Sequence, residues 1–433
     1  MSKMELLSQP LSGLITTPMK LPQSPGDPRY EIYTSSLGDL NSIRLFKNRN
    51  YGNPMKLDGS GGDTLAERSR VKAMAEAIER YSSCVYTNDQ FIYASANELG
   101  EDALDLDKIP ILSEAEYAHP KCPITRPDKN KRIRWVKGMS LTRKKEVYIP
   151  AVMVYLYIPY VNEDEQFWLP ISTGCAIHNN YDKAIVNAIN EVVERDAISL
   201  TWLNKLELPK LDVNSNNLPD WCLDYYERTK NQPFINTYYF DATTDIGIPS
   251  IYSLQVSKYN EKMTSIVMCT TELDPLVAFS KITREGASVR IALQNNENGQ
   301  KDLNKFYDVT DGALYMGHAS KASSFNFLKE SKNISKFSSM KDLSTGSDQG
   351  DLKKIVSLLE EKDHEIFTID ITSDEAERVG LKAVRAIIPS LQPLSFAYRA
   401  QWKGTKRLYQ APDNMGYKRR QEYQLNKEPQ PFA

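Results

Sequence analysis

The chain has 433 residues, of which 41% are hydrophobic and 25% charged, so it is long enough for one large domain or two closely packed ones. Its net charge of −2 gives no overall attraction to nucleic acid or to an anionic membrane. No apolar run approaches the roughly 18 residues that span a bilayer, and the N-terminus lacks the apolar core of a signal peptide.

The cysteines and histidines indicate the compartment and exclude some chemistry. Five cysteines are widely spaced without any Cys-x-x-Cys pair, and four histidines show no metal-binding spacing. This pattern is typical of reduced thiols and argues against a zinc site. We therefore expect a cytoplasmic protein.

The first 50 residues are rich in Pro, Ser and Asn, with a strand-like run at Glu31-Ile-Tyr-Thr. We assign residues 1–50 to an N-terminal extension and 51–433 to a single catalytic domain. A glycine-rich loop follows at Gly59-Ser60-Gly-Gly62. Its backbone N–H groups could cradle a phosphate at a helix start, or the loop could be a plain turn. A P-loop is excluded because its Gly-x-x-x-x-Gly-Lys-Ser/Thr pattern is absent.

A helix with high intrinsic propensity is predicted after this loop. Its apolar residues share one face, whereas Lys72, Glu76 and Glu79 share another at i, i+4, i+7 spacing. Alone, this pattern fits a solvated face with a Lys72–Glu76 pair worth about 0.2–0.5 kcal/mol.

The same pattern occurs a second time, and this repetition makes it informative. Glu191, Glu194 and Arg195 repeat the Glu-x-x-Glu-Arg motif of the first helix, after a small-residue loop at Ser172–Ala176. Between the copies we predict connecting segments at 85–130 and a hairpin of Arg132–Val136 and Val147–Tyr155, whose basic tip is a solvated turn. Two loop-and-helix copies indicate two pseudo-equivalent halves that face one site.

The remaining chain alternates strands with helices, which predicts an α/β protein with a mixed sheet. The predicted strands are Phe234–Phe240, Pro249–Gln255, 264–269, Glu365–Ile371 and Val384–Ile388, and the helices are Ala278–Gln294, Leu352–Lys362 and one starting at Ser373. Residues 212–217 and 336–351 have the composition of loops. The proline-containing tail 427–433 is extended, and such termini are usually disordered.

The paired carboxylates predict a cation. Four carboxylates from two helices cannot share an apolar interface unless a cation neutralises them. Oxygen ligands suit Mg²⁺, which usually keeps water and substrate phosphates as further ligands. The pattern therefore indicates a magnesium nucleotide.

These segments resemble the signature helices of the YcaO superfamily, in particular its azoline-forming branch. The similarity extends in the same order over Pro10–Ile15, Asp241–Pro249, Glu285–Arg290, Gly380–Pro389 and Pro429–Ala433. It implies a YcaO-type fold, with two pseudo-equivalent halves and helices lining a central nucleotide site.

The resemblance also implies ligands and residue roles. ATP and Mg²⁺ would be the cofactors, with the metal held by Glu76, Glu79, Glu191 and Glu194. Nucleotide contacts would come from Ser60, Lys72, Asn187, Arg195, Glu285 and Arg290, although Glu285 and Arg290 also fit a surface ion pair. The tail would lie in the active site, with Pro429, Pro431 and Ala433 as catalytic residues.

The chain departs from the family pattern at two places. The family usually has a lysine in the glycine loop and a serine where Lys72 stands, whereas this loop ends in Gly62-Asp63. Lys72 would restore the missing positive charge near the phosphates, or would simply pair with Glu76. The tail reads Pro-x-Pro-x-Ala instead of Pro-x-Pro-x-Pro.

The implied activity is an ATP- and Mg²⁺-dependent cyclodehydratase of bacteriocin-type peptide biosynthesis, which forms thiazolines or oxazolines from Cys, Ser or Thr. The alternatives are a YcaO enzyme that forms backbone thioamides or amidines, and a non-catalytic peptide-binding scaffold. The implied partners are a precursor peptide and a separate E1-like or leader-peptide-binding protein. A flavin dehydrogenase and a homodimer are compatible with the resemblance, whereas nucleic acid and membranes are not expected.

Overall fold

A computed structural model describes residues 3–8, 13–37, 57–296 and 299–432. The strands are β1 (Met19–Lys20), β2 (Glu31–Ser35), β3 (Gly59–Asp63), β4 (Phe91–Ser95), β5 (Arg132–Ser140), β6 (Lys145–Pro150), β7 (Cys175–His178), β8 (Lys210–Asp212), β9 (Asn236–Asp241), β10 (Ser250–Val256), β11 (Ser265–Thr271), β12 (Ile334–Lys336), β13 (Phe367–Asp370) and β14 (Lys382–Ile387). The helices are α1 (Ala66–Ser82), α2 (Ala96–Leu99), α3 (Glu114–Tyr117), α4 (Ala151–Val154), α5 (Tyr181–Asn204), α6 (Asp220–Lys230), α7 (Pro275–Gln294), α8 (Val309–Gly317), α9 (Asn326–Lys329), α10 (Asp348–Glu360), α11 (Asp374–Arg378) and α12 (Arg407–Asn414).

The described strands form three sheets, in the orders β1-β2-β3, β11-β10-β9-β8-β12 and β4-β5-β13-β14-β7, with β6 paired to β5. The parallel β8–β12 pair makes the second sheet mixed, whereas its other strand pairs are antiparallel. The predicted mixed α/β class is therefore confirmed, although with several sheets.

Three strand-and-helix units position the site. Strand β3 precedes α1, β7 precedes α5, and β11 precedes α7. The long helix α5 is almost completely buried after its first turn, so its Glu-x-x-Glu-Arg motif lies in the interior. Among the described helices, none is both long and apolar enough to cross a membrane.

The glycine-rich segment is a strand instead of the predicted loop. A Cβ atom on Gly59 would lie 2.1 Å from the Ala73 carbonyl oxygen, and one on Gly61 would lie 2.0 Å from the Ser69 carbonyl oxygen. The glycines therefore allow β3 to pack directly against α1, and neither a phosphate-cradling loop nor a plain turn describes this segment.

Two other sequence predictions also need correction. The hairpin is present, but its second strand ends at Pro150, and the predicted continuation to Tyr155 contains the short buried helix Ala151–Val154. The segment 85–130 contains strand β4, which pairs with β5. Long-range pairing decides both cases, and local composition does not reveal it.

A buried ion network fixes α5 to its surroundings. Arg407, at the start of α12, binds both carboxylate oxygens of Asp196 at 2.6 and 2.7 Å and reaches Asp245 at 2.9 Å. Asp196 directly follows the second motif and is fully buried. This network therefore holds the C-terminal half of α5 against the turn between β9 and β10.

Candidate nucleotide and metal site

The first glutamate of each motif makes the same two contacts. In the first copy, Glu76 accepts a hydrogen bond from the backbone N–H of Ser60 at 2.8 Å and pairs with Arg80 at 2.7 Å. In the second copy, Glu191 accepts a hydrogen bond from the backbone N–H of Gly174 at 3.1 Å and pairs with Arg195 at 3.0 Å. The two copies are therefore equivalent in contacts as well as in sequence.

The second glutamate of each motif turns toward the following strand-and-helix unit. The backbone N–H of Thr271, at the end of β11, donates to Glu194 Oε2 at 3.3 Å. In the same way, the backbone of Ile177 in β7 hydrogen-bonds to the Glu79 carboxyl. Glu79 thereby connects the first half to the second, and Glu194 connects the second half to α7.

These second glutamates have perturbed acidity. Burial, together with the charges of Glu191 and Glu76, raises the pKa of Glu79 well above its ordinary value. Burial raises the pKa of Glu194 to about 7, although an arginine and a lysine lie nearby. Both shifts indicate carboxylates whose charged forms would be favoured by a bound cation.

Helix α7 adds charged residues that the sequence analysis missed. The Lys281 ammonium lies 3.2 Å from Glu272 and 4.0 Å from Glu194, and the Asn190 amide donates to Glu272 at 3.1 Å. Burial alone would lower the pKa of Lys281, but the charges of Glu272, Glu285 and Glu194 raise it. Lys281 precedes Glu285 by four residues, so the spacing rule that identified the first pair could have identified it.

The structure gives Lys72 an unexpected partner. Its ammonium pairs with the buried carboxylate of Asp63, which also accepts a hydrogen bond from the Tyr225 hydroxyl at 3.0 Å. The predicted pairing with Glu76 is wrong, because Glu76 is held by its own arginine. Burial lowers the pKa of Lys72 to about 8, and the charge of Arg284 adds to this effect. A contact from Lys72 to phosphate stays a prediction.

Arg290 is not on the surface and does not pair with Glu285. It is 1% exposed, and its guanidinium donates to Gln255 at 2.8 Å and to the Met263 carbonyl at 3.3 Å. Thr271, whose backbone N–H binds Glu194, pairs with Ser250 of β10. Gln255 lies five residues further along β10, or about 17 Å away. The structure therefore does not bring Arg290 to the motif glutamates, whereas Glu285 lies among their charges.

The other predicted nucleotide contacts stay predictions. The side chain of Ser60 is exposed, while its backbone N–H is already used by Glu76. Asn187 is half-buried and lies one turn before Glu191 on α5, so it shares a face with the second motif.

The C-terminal tail is ordered and buried from Pro429 to Phe432. The Trp202 indole N–H donates to the Glu428 carbonyl at 3.2 Å, and the Arg195 guanidinium stacks over the Phe432 ring at 4.6 Å. The tail therefore runs along α5 and reaches the second motif. A catalytic role for the tail stays a prediction, and Ala433 lies outside the described residues, as do residues 10–12.

The donor set fits a metal that arrives with a nucleotide. Within the described ranges, no group of three or more His, Cys, Asp or Glu residues is close enough to hold a metal alone. Mg²⁺ usually takes only one or two protein carboxylates and completes its octahedron with water and phosphate oxygens. The raised pKa values of Glu79 and Glu194 identify carboxylates that could serve in this way.

The paired glutamates of the two related strand-and-helix units approach each other. This arrangement suits an enzyme that binds a magnesium nucleotide between its halves. Residues 60–392 match the family described as YcaO cyclodehydratase, ATP- and Mg²⁺-binding. The chain belongs to this family, so it is an ATP-dependent enzyme of the cyclodehydratase type whose cofactors are ATP and Mg²⁺.

Individual relatives share the sequence or the fold of this chain. An uncharacterized protein of Methanothermobacter thermautotrophicus is 25% identical over 78% of this chain and 82% of its own length. A heterocyclase solved with substrate and cofactor superposes with a TM-score of 0.82 at 22% identity, covering 99% of this chain but only 56% of that protein. YcaO from Methanopyrus kandleri, solved with AMPPCP and Mg²⁺, gives a TM-score of 0.60 at 16% identity, with 86% of each chain covered.

Proposed function

We propose that this enzyme converts Cys, Ser or Thr residues of a ribosomally made precursor peptide into thiazolines or oxazolines. The side-chain thiol or hydroxyl attacks the preceding amide carbonyl and closes the ring, and ATP then phosphorylates the oxygen of the adduct. Phosphate leaves as the C=N bond of the azoline forms, with loss of the N–H proton. The net change is loss of one water from the peptide and conversion of ATP to ADP and phosphate. The family's cyclodehydratase description and the likeness to a heterocyclase support the proposal.

The convergence of the two motifs carries the proposal. Burial and the charges of Glu76 and Glu191 disfavour the ionised form of Glu79, so the set is best accommodated when a cation is bound. A magnesium nucleotide supplies that cation together with phosphates that the nearby arginines can neutralise.

The proposal assigns the following residue roles. In this proposal the metal ligands are Glu76, Glu79, Glu191 and Glu194, and the nucleotide is also contacted by Ser60, Lys72, Asn187 and Glu285. Arg195 neutralises phosphate oxygens. Lys281 and Arg284 replace Arg290 as the nucleotide contacts of α7, because they lie on the site side of that helix. Pro429, Pro431 and Ala433 place the tail beside the substrate amide.

The test is mass spectrometry of a short peptide encoded beside this gene. The peptide is incubated with this protein, MgATP and the neighbouring E1-like or leader-binding protein. We expect the loss of one water per ring and peptide-dependent phosphate release. Glu79→Gln should abolish both, whereas the control Glu67→Gln, on the exposed face of the same helix, should preserve them.

The mass change also separates the alternatives. Replacement of an amide oxygen by sulfur would raise the peptide mass and identify a thioamide-forming enzyme. A non-catalytic scaffold would bind the peptide without phosphate release or mass change, and that result would refute the proposal.

A binding measurement tests the nucleotide site separately from ring formation. MgATP at a hundredfold excess over its Kd should stabilise the fold by about 2.7 kcal/mol. ATP with EDTA should stabilise it much less, because uncompensated carboxylates repel phosphates. Equal shifts in a thermal melt would refute a metal role for the glutamates.

A further inference from the structure

The side chain of Gln430 is buried without any hydrogen-bond partner. The residue is 2% exposed, and neither its amide nitrogen nor its amide oxygen has a partner among the described residues. Buried polar groups in folded proteins are nearly always paired, because leaving them unpaired costs their full desolvation energy. An amide with both atoms unpaired therefore requires an explanation.

The position of this residue is closely fixed. A Cβ atom on Gly312 of α8 would lie 1.9 Å from the Gln430 carbonyl oxygen, so the tail backbone rests directly on a helix that has no side chain there. Glu428, two residues earlier, pairs with Lys321 at 3.0 Å. Pro429 and Pro431 flank Gln430 and restrict the backbone further. The unpaired amide is thus held in place by its surroundings.

The backbone of this residue lies close to the site. Phe432 stacks on Arg195, which also binds Glu191 and lies 3.4 Å from Glu194. Two residues of chain span at most about 7 Å. The backbone of Gln430 therefore lies within about 7 Å of Phe432, which reaches the second motif.

The chemistry of a carboxamide defines its natural ligand. It offers an N–H₂ donor beside a carbonyl acceptor, and a peptide group offers the complementary acceptor and donor. A phosphate or a carboxylate would satisfy only the donor, and a cation only the acceptor. A peptide group of the substrate pairs both atoms, although the amino group and neighbouring ring nitrogen of adenine offer the same pattern. Because the proposed nucleotide contacts lie on α1, α5 and α7 and not on the tail, the peptide group is the ligand that fits this position.

We propose that the Gln430 side chain binds a backbone peptide group of the precursor peptide, donating to its carbonyl and accepting from its N–H. The inference rests on the proposed function and adds a positioning residue to it. Such a contact involves the peptide backbone and not its side chains. Gln430 would therefore position precursor peptides of different sequence equally well beside the site.

Peptide binding is measured by fluorescence anisotropy, with the labelled short peptide encoded beside this gene, the neighbouring E1-like or leader-binding protein and saturating Mg-AMPPCP, so that no ring formation is needed. We expect Gln430→Leu to weaken peptide binding at least tenfold, and Gln430→Glu, which removes the donors, to weaken it as well. Affinity for MgATP should be unchanged in both variants. Gln410→Leu, at an exposed position of α12, is the control and should bind peptide normally.

Thermal melts without peptide distinguish this role from a structural one. If the amide is unpaired until peptide arrives, Gln430→Leu should melt at or above the wild-type temperature. A lower melting temperature, unchanged peptide affinity or weakened MgATP affinity in Gln430→Leu, or a wild-type protein that does not bind the peptide, would each overturn the inference. If the peptide binds through Gln430 but no ring forms, the proposed function fails and this inference stands.

Discussion

A single methyl group at Gly312 should separate tail function from nucleotide binding. Real Cβ atoms essentially never approach other atoms within 3.0 Å, yet the alanine Cβ would lie 1.9 Å from the Gln430 carbonyl oxygen. The tail backbone must therefore retreat by about 1 Å in Gly312→Ala, and a displacement of this size can cost roughly a hundredfold in rate. We expect ring formation to fall by about that factor. MgATP affinity should stay near wild type, because its proposed ligands lie on α1, α5 and α7.

Gly317→Ala is the matched control on the same helix. Its Cβ would meet the terminal methyl of Met263 at 2.6 Å, which is the movable end of a flexible side chain. Both substitutions replace a glycine of the same helix by alanine, so the control covers the general effect of that change. Peptide turnover by mass spectrometry and MgATP titration by calorimetry are the two assays. The reasoning fails if Gly312→Ala turns over peptide at the wild-type rate, or if it loses nucleotide affinity and turnover together.

Three further predictions concern charged residues. The pKa of Glu194, about 7 in the folded protein against 4.5 ordinarily, means that stability falls as pH rises from 4.5 to 7. Glu194→Gln should remove about 3 kcal/mol of this fall in the free energy of unfolding, measured by urea unfolding with EDTA. Parallel pH profiles of wild type and Glu194→Gln would contradict this. Lys72→Met should destabilise by about 1–3 kcal/mol, because it leaves the Asp63 carboxylate without its cation, and adding Asp63→Asn should recover stability in guanidinium unfolding. Arg407→Met should lower the free energy of unfolding by about 3–5 kcal/mol, since it leaves the fully buried Asp196 without its cation. Adding Asp196→Asn should reduce this loss, and equal denaturation midpoints for wild type and Arg407→Met would refute the prediction.

The helices of the site could be predicted because their signals are local. The alternation of apolar and charged residues identified α1 and α5, and the repetition of Glu-x-x-Glu-Arg identified their charged faces as a shared site. Strands β10 and β11 were also predicted to within a few residues, since buried strands have continuous apolar runs. Apart from the repetition, these features depend on residues within a few turns of each other.

The errors arose where residues meet across the fold. The strand Gly59–Asp63 depends on pairing with β2 and on contact with α1, and glycines in isolation suggest a loop. Lys72 pairs with Asp63 nine residues earlier, a spacing that no helical rule describes. Arg290 could have been corrected from sequence alone, because five residues of helix rotate it about 140° from Glu285.

The duplicated motif divides its two glutamates between different tasks. The first glutamate of each copy is neutralised by its own arginine and by a backbone N–H of the preceding segment, so it joins helix to strand within its own half. The second glutamate crosses to the next unit and keeps a raised pKa, so its charged form lacks full compensation. Among the four proposed metal ligands, Glu79 and Glu194 are therefore the ones whose charged forms a bound cation would favour most. Duplication thus supplies one such carboxylate from each half.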